Sequence, residues 1–191
     1  NYQDYIWDLG GTLLDNYETS TAAFVHTLQD FGLTASHDEV YKALKVSTDY
    51  AVRQFAPGNK EFLKAYKANE AKELEHPILF EGASELLAQI IQQGGRNFLI
   101  SHRDDQVLEI LQKTQINAYF TEVVTATNGF KRKPDPESML YLKDKYQIES
   151  GLVIGDRPID IEAGQAAGFS CYLFDNMRNL EEFVDIELEK E

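Results

Sequence analysis

The apolar residues of the chain fall into short continuous runs that are separated by longer segments with helical spacing. Short apolar runs bounded by polar or glycine-rich segments are typical of strands buried on both faces of a parallel sheet. The pattern therefore predicts five buried strands, at Tyr5–Trp7, Asn97–Ile100, Val123–Thr125, Leu152–Ile154 and Cys171–Phe174.

Between the later runs, apolar residues recur every three or four positions, which predicts amphipathic helices. The clearest of these patterns spans residues 83–91 and is ended by the pair Gly94-Gly95, and two others span residues 107–111 and 139–142. Strands that alternate with helices in this way form parallel sheets covered on both faces. The predicted fold class is therefore α/β, with a three-layer, Rossmann-like core.

A long helical segment separates the first predicted strand from the second. Between residues 16 and 79, apolar faces such as Phe24, Leu28 and Phe31 have helical spacing, and no strand pattern is evident. This segment is too long for a simple crossover connection. We therefore predict a core of residues 1–15 and 80–191 and an α-helical cap, residues 16–79, inserted after the first strand.

The chain of 191 residues has a net charge of −14. Such a charge disfavours nonspecific binding to nucleic acid or to anionic membranes, and no apolar segment approaches membrane-spanning length. We expect a cytoplasmic protein without nucleic-acid or membrane partners, as a monomer or a weak homodimer. An anionic substrate would need a metal ion or local positive charge at its site.

Polar residues suited to catalysis follow the first two predicted strands. The segment Asp8-Leu9-Gly10-Gly11-Thr12 comes after the first strand, and Ser101 and His102 come after the second. The carboxyl ends of parallel strands meet at one edge of the sheet, where open α/β sheets bind their ligands. Ser101 has two interpretations: its hydroxyl binds a phosphate oxygen, or it caps a helix that begins near Asp104.

Charged segments follow the third and fourth predicted strands. In Lys131-Arg132-Lys133-Pro134-Asp135-Pro136, the stiff Lys-Pro-Asp-Pro half restricts Lys133. In Gly155-Asp156-Arg157-Pro158-Ile159-Asp160, two carboxylates lie four residues apart across a strand-to-helix turn. Such a pair suits a hard cation and a lysine partner, whereas capping of the helix is the alternative interpretation.

In this order, the four segments resemble the motifs of the haloacid dehalogenase superfamily, in the group that has a helical cap after the first motif and includes phosphoglycolate phosphatase-like enzymes. The resemblance implies a Mg²⁺-dependent phosphatase that acts on small phosphorylated metabolites. It implies that Asp8 is the nucleophile and forms an aspartyl-phosphate. Asp8, the backbone carbonyl of Gly10 and Asp156 would bind Mg²⁺. Gly11 would allow close backbone approach to the phosphate, and Thr12 would steady the loop.

The same resemblance assigns roles to the residues after the other strands. Ser101 and Lys133 would hold the phosphoryl group, with His102 beside them, and Lys133 would also neutralise the charge of the nucleophile. Asp160 would orient Lys133 or reach the metal through water. These residues complete a phosphate site in which positioning and charge neutralisation supply most of the catalysis.

Gly10 departs from the family pattern, which has an aspartate that protonates the leaving group. Loss of such an acid costs ~10²–10⁴-fold in rate. Three functions therefore stay open: a phosphatase that is slow or restricted to good leaving groups, a phosphate-ester-binding or regulatory protein, and a phosphonatase-like carbon–phosphorus hydrolase. The last would form an imine on a cap lysine, Lys42 or Lys45. His102, which titrates near neutrality, is a candidate for the missing proton donor.

Overall fold

A computed structural model describes residues 2–185, which contain a five-stranded parallel sheet. The strand order is β3-β2-β1-β4-β5, and every neighbouring pair is parallel. This order puts β1 at the centre of the sheet and confirms the predicted α/β fold class. The strands are β1 (Asp4–Trp7), β2 (Arg96–Ile100), β3 (Phe120–Val124), β4 (Gly151–Gly155) and β5 (Ser170–Leu173).

The remaining regular structure within these residues is helical. No helix of the described part combines the length and the apolar character needed to span a membrane. The α-helices are α1 (Asn16–Asp30), α2 (His37–Val46), α3 (Thr48–Phe55), α4 (Lys60–Glu73), α5 (Ala83–Gln92), α6 (Gln106–Lys113), α7 (Glu137–Tyr146), α8 (Pro158–Ala166) and α9 (Met177–Asp185), and short 3₁₀ helices lie at Asn117–Tyr119 and Ala126–Asn128.

Helices cover both faces of the sheet. The side chains of the buried strand β1 alternate between these two faces. Tyr5 and Trp7 belong to one apolar cluster together with side chains of α5, α6 and α9. Ile6 belongs to the other, together with side chains of α7 and α8. The three layers therefore agree with the Rossmann-like core predicted from the sequence.

The predicted strand Val123–Thr125 is placed differently in the structure, whereas the other predicted strands agree to within one residue at each end. β3 begins at Phe120 and ends at Val124. Glu122, in the middle of this edge strand, accepts hydrogen bonds from two tyrosine hydroxyls of α7, so a charged residue interrupts the apolar run. Thr125 caps the following 3₁₀ helix instead of continuing the strand.

The chain divides into two compact units. The sheet unit consists of the residues up to Leu14 and from Leu79 onwards, and the helical unit is Asp15–Ile78. Leu14 and Leu79 form an antiparallel bridge, so the chain leaves the sheet unit and returns to it at neighbouring positions.

The helical unit has an apolar core of its own. Phe24 of α1 packs edge-on against two aromatic rings of α4, with its ring centroid 4.9 Å from that of Phe62 and 5.0 Å from that of Tyr66. All three side chains are fully buried, and residues of α2 and α3 complete the cluster. Aromatic pairs of this geometry stabilise a core beyond the area that they bury.

Replacement of Phe62 by alanine should lower the free energy of unfolding of the helical unit by ~3–5 kcal/mol, because a buried ring is lost and a cavity remains. The adjacent Leu63 is 41% exposed and provides a matched control. Leu63→Ala should change this free energy by only about 0.5 kcal/mol. Urea titration followed by circular dichroism measures both values, and equal losses in the two variants would contradict the assignment of this core.

Candidate active site

The candidate catalytic residues lie after the carboxyl ends of adjacent strands. Asp8 follows the central strand β1, Ser101 follows β2, and Asp156 follows β4. Because β1 pairs with both β2 and β4, these side chains start from neighbouring positions of one sheet edge. The loop after β3 brings Lys133 to the same edge, where it contacts Asp8.

Lys133 is the centre of this arrangement. Its side chain is only 3% exposed, and its Nζ atom lies 3.1 Å from Oδ1 of Asp8 and 2.7 Å from Oδ1 of Asp160. The ammonium group also donates a longer hydrogen bond, of 3.5 Å, to the carbonyl oxygen of Ile100. Sequence reasoning missed this last contact, because a backbone carbonyl carries no residue-type signal.

Asp160 is both a partner of Lys133 and a cap of helix α8, which the sequence analysis gave as alternative interpretations. Its Oδ1 atom binds Lys133, and its Oδ2 atom accepts a hydrogen bond of 3.1 Å from the backbone N–H of Arg157, at the start of α8. The carboxylate lies against Gly155, where an added Cβ atom would come within 2.4 Å of it. A side chain at position 155 would therefore displace the partner of Lys133.

Asp156 lies close to the other carboxylates. Three carboxylate oxygens, one each from Asp8, Asp156 and Asp160, lie within 4.8 Å of one another. Burial, followed by repulsion from Asp8, raises the pKa of Asp156 to about 6. The hydroxyl of Thr12 donates a weak hydrogen bond of 3.5 Å to Oδ1 of Asp156. Asp156 thus lacks a cationic partner of its own among the described residues.

The glycine pair after Asp8 has two different conformations. Gly11 has a φ of +80°, and an added Cβ atom would lie 2.2 Å from Oδ2 of Asp156. Position 11 therefore requires glycine both for its backbone and for the close approach of Asp156. Gly10 forms an isolated bridge with Leu14 and is not among the described residues with positive φ.

The donor set fits a hard divalent cation. The three carboxylates carry more negative charge than the single ammonium of Lys133 neutralises. Both oxygens of Asp160 are already bound, to Lys133 and to the N–H of Arg157, which leaves Asp8 and Asp156 as the better placed ligands. Carboxylate and carbonyl oxygens are the ligands that Mg²⁺ prefers.

The helix-cap interpretation of Ser101 is wrong. Helix α6 begins at Gln106, whose backbone N–H is bound by Oδ1 of Asp104 at 3.0 Å. Ser101 is instead buried at the end of β2, where its N–H donates to the carbonyl oxygen of Val124.

His102 contacts the loop that carries Lys133. Its Nε2 atom lies 3.1 Å from the backbone nitrogen of Lys133, which donates the hydrogen bond. Burial and the positive charges of Lys133 and Arg132 lower the pKa of His102.

Lys42 and Lys45, the two lysines considered for imine formation, are exposed on α2 of the helical unit. The Nζ atom of Lys45 lies 4.9 Å from the ring centroid of Tyr41, within the same unit. Lysines that form imines in enzymes are activated by desolvation or by a neighbouring cation. The exposure of these two side chains gives the carbon–phosphorus hydrolase alternative no support.

Comparison with known proteins identifies the family of the chain. The family model of haloacid dehalogenase-like hydrolases matches residues 5–174. A phosphoglycolate phosphatase of Aliivibrio fischeri is 29% identical, over 88% of this chain and 81% of the relative, and pyrophosphatase PpaX of Listeria welshimeri is 26% identical, over 85% and 78%.

Among solved structures, the crystal structure of a hydrolase from Streptococcus pneumoniae TIGR4 is 71% identical and superimposes with a TM-score of 0.93. The alignment covers 96% of this chain and 98% of that one. Since the family model spans most of the sequence, the chain belongs to the haloacid dehalogenase-like hydrolase family.

Proposed function

We propose that this protein is a Mg²⁺-dependent phosphatase that hydrolyses small phosphorylated metabolites. Its relatives include phosphoglycolate phosphatases and a pyrophosphatase, which supports the enzyme class. The observation that carries the proposal is the buried ammonium of Lys133 between Asp8 and Asp160, with Asp156 beside them. A nucleophilic carboxylate, a fixed cation and an acidic metal site are the components that phosphoryl transfer requires.

Asp8 is the proposed nucleophile. A carboxylate oxygen of Asp8 forms a bond to phosphorus while the bond between phosphorus and the leaving oxygen breaks, which gives an aspartyl-phosphate. Water then attacks the phosphorus while the bond between phosphorus and the oxygen of Asp8 breaks, which releases inorganic phosphate and regenerates the carboxylate. Lys133 offsets negative charge at Asp8 throughout, and the buried end of β2 provides Ser101 to bind the phosphoryl group.

Asp8, Asp156 and the carbonyl of Gly10 would hold Mg²⁺. When bound, the ion supplies positive charge to the phosphoryl oxygens and so reduces their repulsion of the carboxylate nucleophile. This contribution matters in a chain whose net charge is −14. We assign Asp160 to the orientation of Lys133, because both of its oxygens are engaged in the fold.

Gly10 limits the substrates that the enzyme turns over. It provides no carboxyl group, so the leaving group must depart without a proton from this position. Acyl phosphates, phosphoanhydrides and aryl phosphates release stable anions and satisfy this condition better than alkyl phosphates do. Gly10 also favours the second candidate, a phosphate-ester-binding protein with little turnover, which would bind these compounds and release no phosphate. We propose that the compact helical unit Asp15–Ile78 corresponds to the predicted α-helical cap, residues 16–79.

Asp8→Asn should abolish hydrolysis of p-nitrophenyl phosphate in the presence of Mg²⁺, because an amide is a poor nucleophile and a weaker metal ligand. Asp38→Asn is the matched control, since the side chain of Asp38 is 90% exposed, and it should leave the rate unchanged. Release of p-nitrophenolate measures both. Turnover by the Asp8 variant at the wild-type rate would exclude Asp8 as the nucleophile.

Mg²⁺ should raise the melting temperature of the wild-type protein, because it binds the folded form, and should raise that of Asp156→Ala less. A proton on Asp156 competes with the metal, and the pKa of this carboxyl is raised to about 6. In wild type, the increase in melting temperature caused by Mg²⁺ should therefore reach its largest value at a pH well above about 6. It should become smaller as the pH falls through that value. Thermal unfolding at several pH values, with and without Mg²⁺, tests this. An equal increase in both proteins would remove Asp156 from the metal site.

Gly10→Asp should raise the rate with alkyl phosphates more than the rate with aryl phosphates, by up to ~10²-fold, because an alkoxide needs a proton to leave and a phenolate does not. Gly10, unlike Gly11, is not among the described residues with positive φ, so its φ does not itself require glycine. Gly10→Asn has the same size without the acid and is the control. An unchanged ratio of the two rates in a folded Asp variant would show that protonation of the leaving group does not limit turnover.

A further inference from the structure

We infer that His102 is a positioning residue, which accepts a hydrogen bond from the backbone N–H of Lys133 through Nε2 and thereby holds the lysine between Asp8 and Asp160. The inference rests on the proposed phosphatase function for its kinetic consequences. Its structural part, the hydrogen bond and the tautomer that the bond requires, is independent of any substrate.

The contact fixes the state of the imidazole. A backbone N–H can only donate, so Nε2 must carry no proton to accept at 3.1 Å. The neutral ring then carries its single proton on Nδ1. Protonation of Nε2 would replace the hydrogen bond with two facing N–H groups and would break the contact. His102 therefore holds the loop only while it is neutral.

The hydrogen bond joins two separate segments of the site. The hydrogen bonds of neighbouring Asp135 are local: its N–H donates to the carbonyl of Arg132 at 3.0 Å, and its Oδ1 atom accepts from the N–H of Glu137 at 2.9 Å. Among the backbone N–H groups of the described residues 131–135, that of Lys133 is the one that reaches the end of another strand. The backbone of Lys133 is thus held to the segment after β2 through His102, whereas its ammonium group is held by Asp8, Asp160 and the carbonyl of Ile100.

The charges around His102 favour the neutral ring. Burial opposes a positive charge on the imidazole, as do the charges of Lys133 and Arg132, whereas the more weakly acting Asp8 and Asp160 favour it. Their balance lowers the pKa of His102. Near neutral pH the ring is consequently able to accept the hydrogen bond.

This arrangement also removes His102 as the substitute for the acid that Gly10 lacks. A histidine that protonates a leaving group acts as an imidazolium ion, with protons on both nitrogens. Such an ion cannot accept the Lys133 hydrogen bond. The preference for leaving groups that depart as anions is therefore not relieved by His102.

Nitrogen-15 NMR of the imidazole tests the tautomer in the wild-type protein. The couplings between ring nitrogens and ring protons should identify Nδ1 as protonated and Nε2 as unprotonated at neutral pH. Protonation of Nε2 in the folded protein would overturn the inference. This measurement requires no variant and no turnover, so it decides the structural part even if the protein hydrolyses none of the phosphates tried.

Three variants test the kinetic part with p-nitrophenyl phosphate and Mg²⁺. A glutamine side chain can place its carbonyl oxygen close to the position of Nε2, so His102→Gln should restore the hydrogen bond and keep kcat within about threefold of wild type, whereas His102→Leu should lose ~10–10²-fold through displacement of Lys133. His26→Gln is the control, because the side chain of His26 is 62% exposed, and it should match wild type.

The pH dependence distinguishes positioning from a merely structural role. In wild type, kcat should fall on the acid side as His102 becomes protonated, and His102→Gln should lack this part of the fall because an amide does not titrate. Equal kcat in the Leu variant and wild type would overturn the inference, as would equal losses in the Gln and Leu variants. If wild type itself releases no phosphate while the tautomer is as inferred, the proposed function fails and the structural inference stands.

Discussion

The buried ammonium group of Lys133 is the interaction on which the sheet edge depends. An unpaired charge with 3% exposure would cost several kcal/mol, so Lys133 is stable there only while Asp8 and Asp160 contact it. Lys133 lies in the loop after β3, whereas Asp8 follows β1 and Asp160 lies in the first turn of α8. The parallel order with β1 between β2 and β4 brings all of them to one place. Fold and charge arrangement are therefore mutually dependent.

The local balance of charge explains how a protein with a large negative net charge could bind a phosphate group. The chain has a net charge of −14, and three carboxylates converge at the site with a single buried ammonium. Without a further cation, the carboxylates repel one another, and the raised pKa of Asp156 records this repulsion together with burial. A divalent ion would bring the cluster close to neutrality. Substrate binding would then depend on the ion rather than on the overall charge.

The sequence predicted the features that depend on residue type and spacing. Apolar runs located the strands, and the order of the motifs predicted that Asp8, Lys133, Asp156 and Asp160 lie at one edge, where the structure brings them together. Their catalytic and metal-binding roles stay predictions.

Features that depend on backbone atoms and on partners distant in the sequence were not accessible in this way. The hydrogen bond from the N–H of Lys133 to His102 and the long one to Ile100 involve backbone atoms that every residue has. Threonine is common both in strands and at the start of helices, so the residue type of Thr125 did not distinguish the two. Its hydrogen bonds show that it caps the 3₁₀ helix. Likewise, position 11 requires glycine because the side chain of Asp156 approaches it closely. Asp156 is distant in the sequence, so the residues around Gly11 do not reveal this contact.

The two hydrogen bonds of Asp160 have a consequence for the dynamics of the site. One oxygen holds the ammonium of Lys133, and the other holds the N–H of Arg157 at the start of α8. The first turn of α8 cannot fray without weakening the hold on Lys133, and Lys133 cannot leave without exposing the carboxylate that caps the helix. Local opening of the helix and disassembly of the charge cluster are thus one event. Exchange of the Arg157 N–H with solvent should therefore depend on the opening of the charge cluster around Lys133.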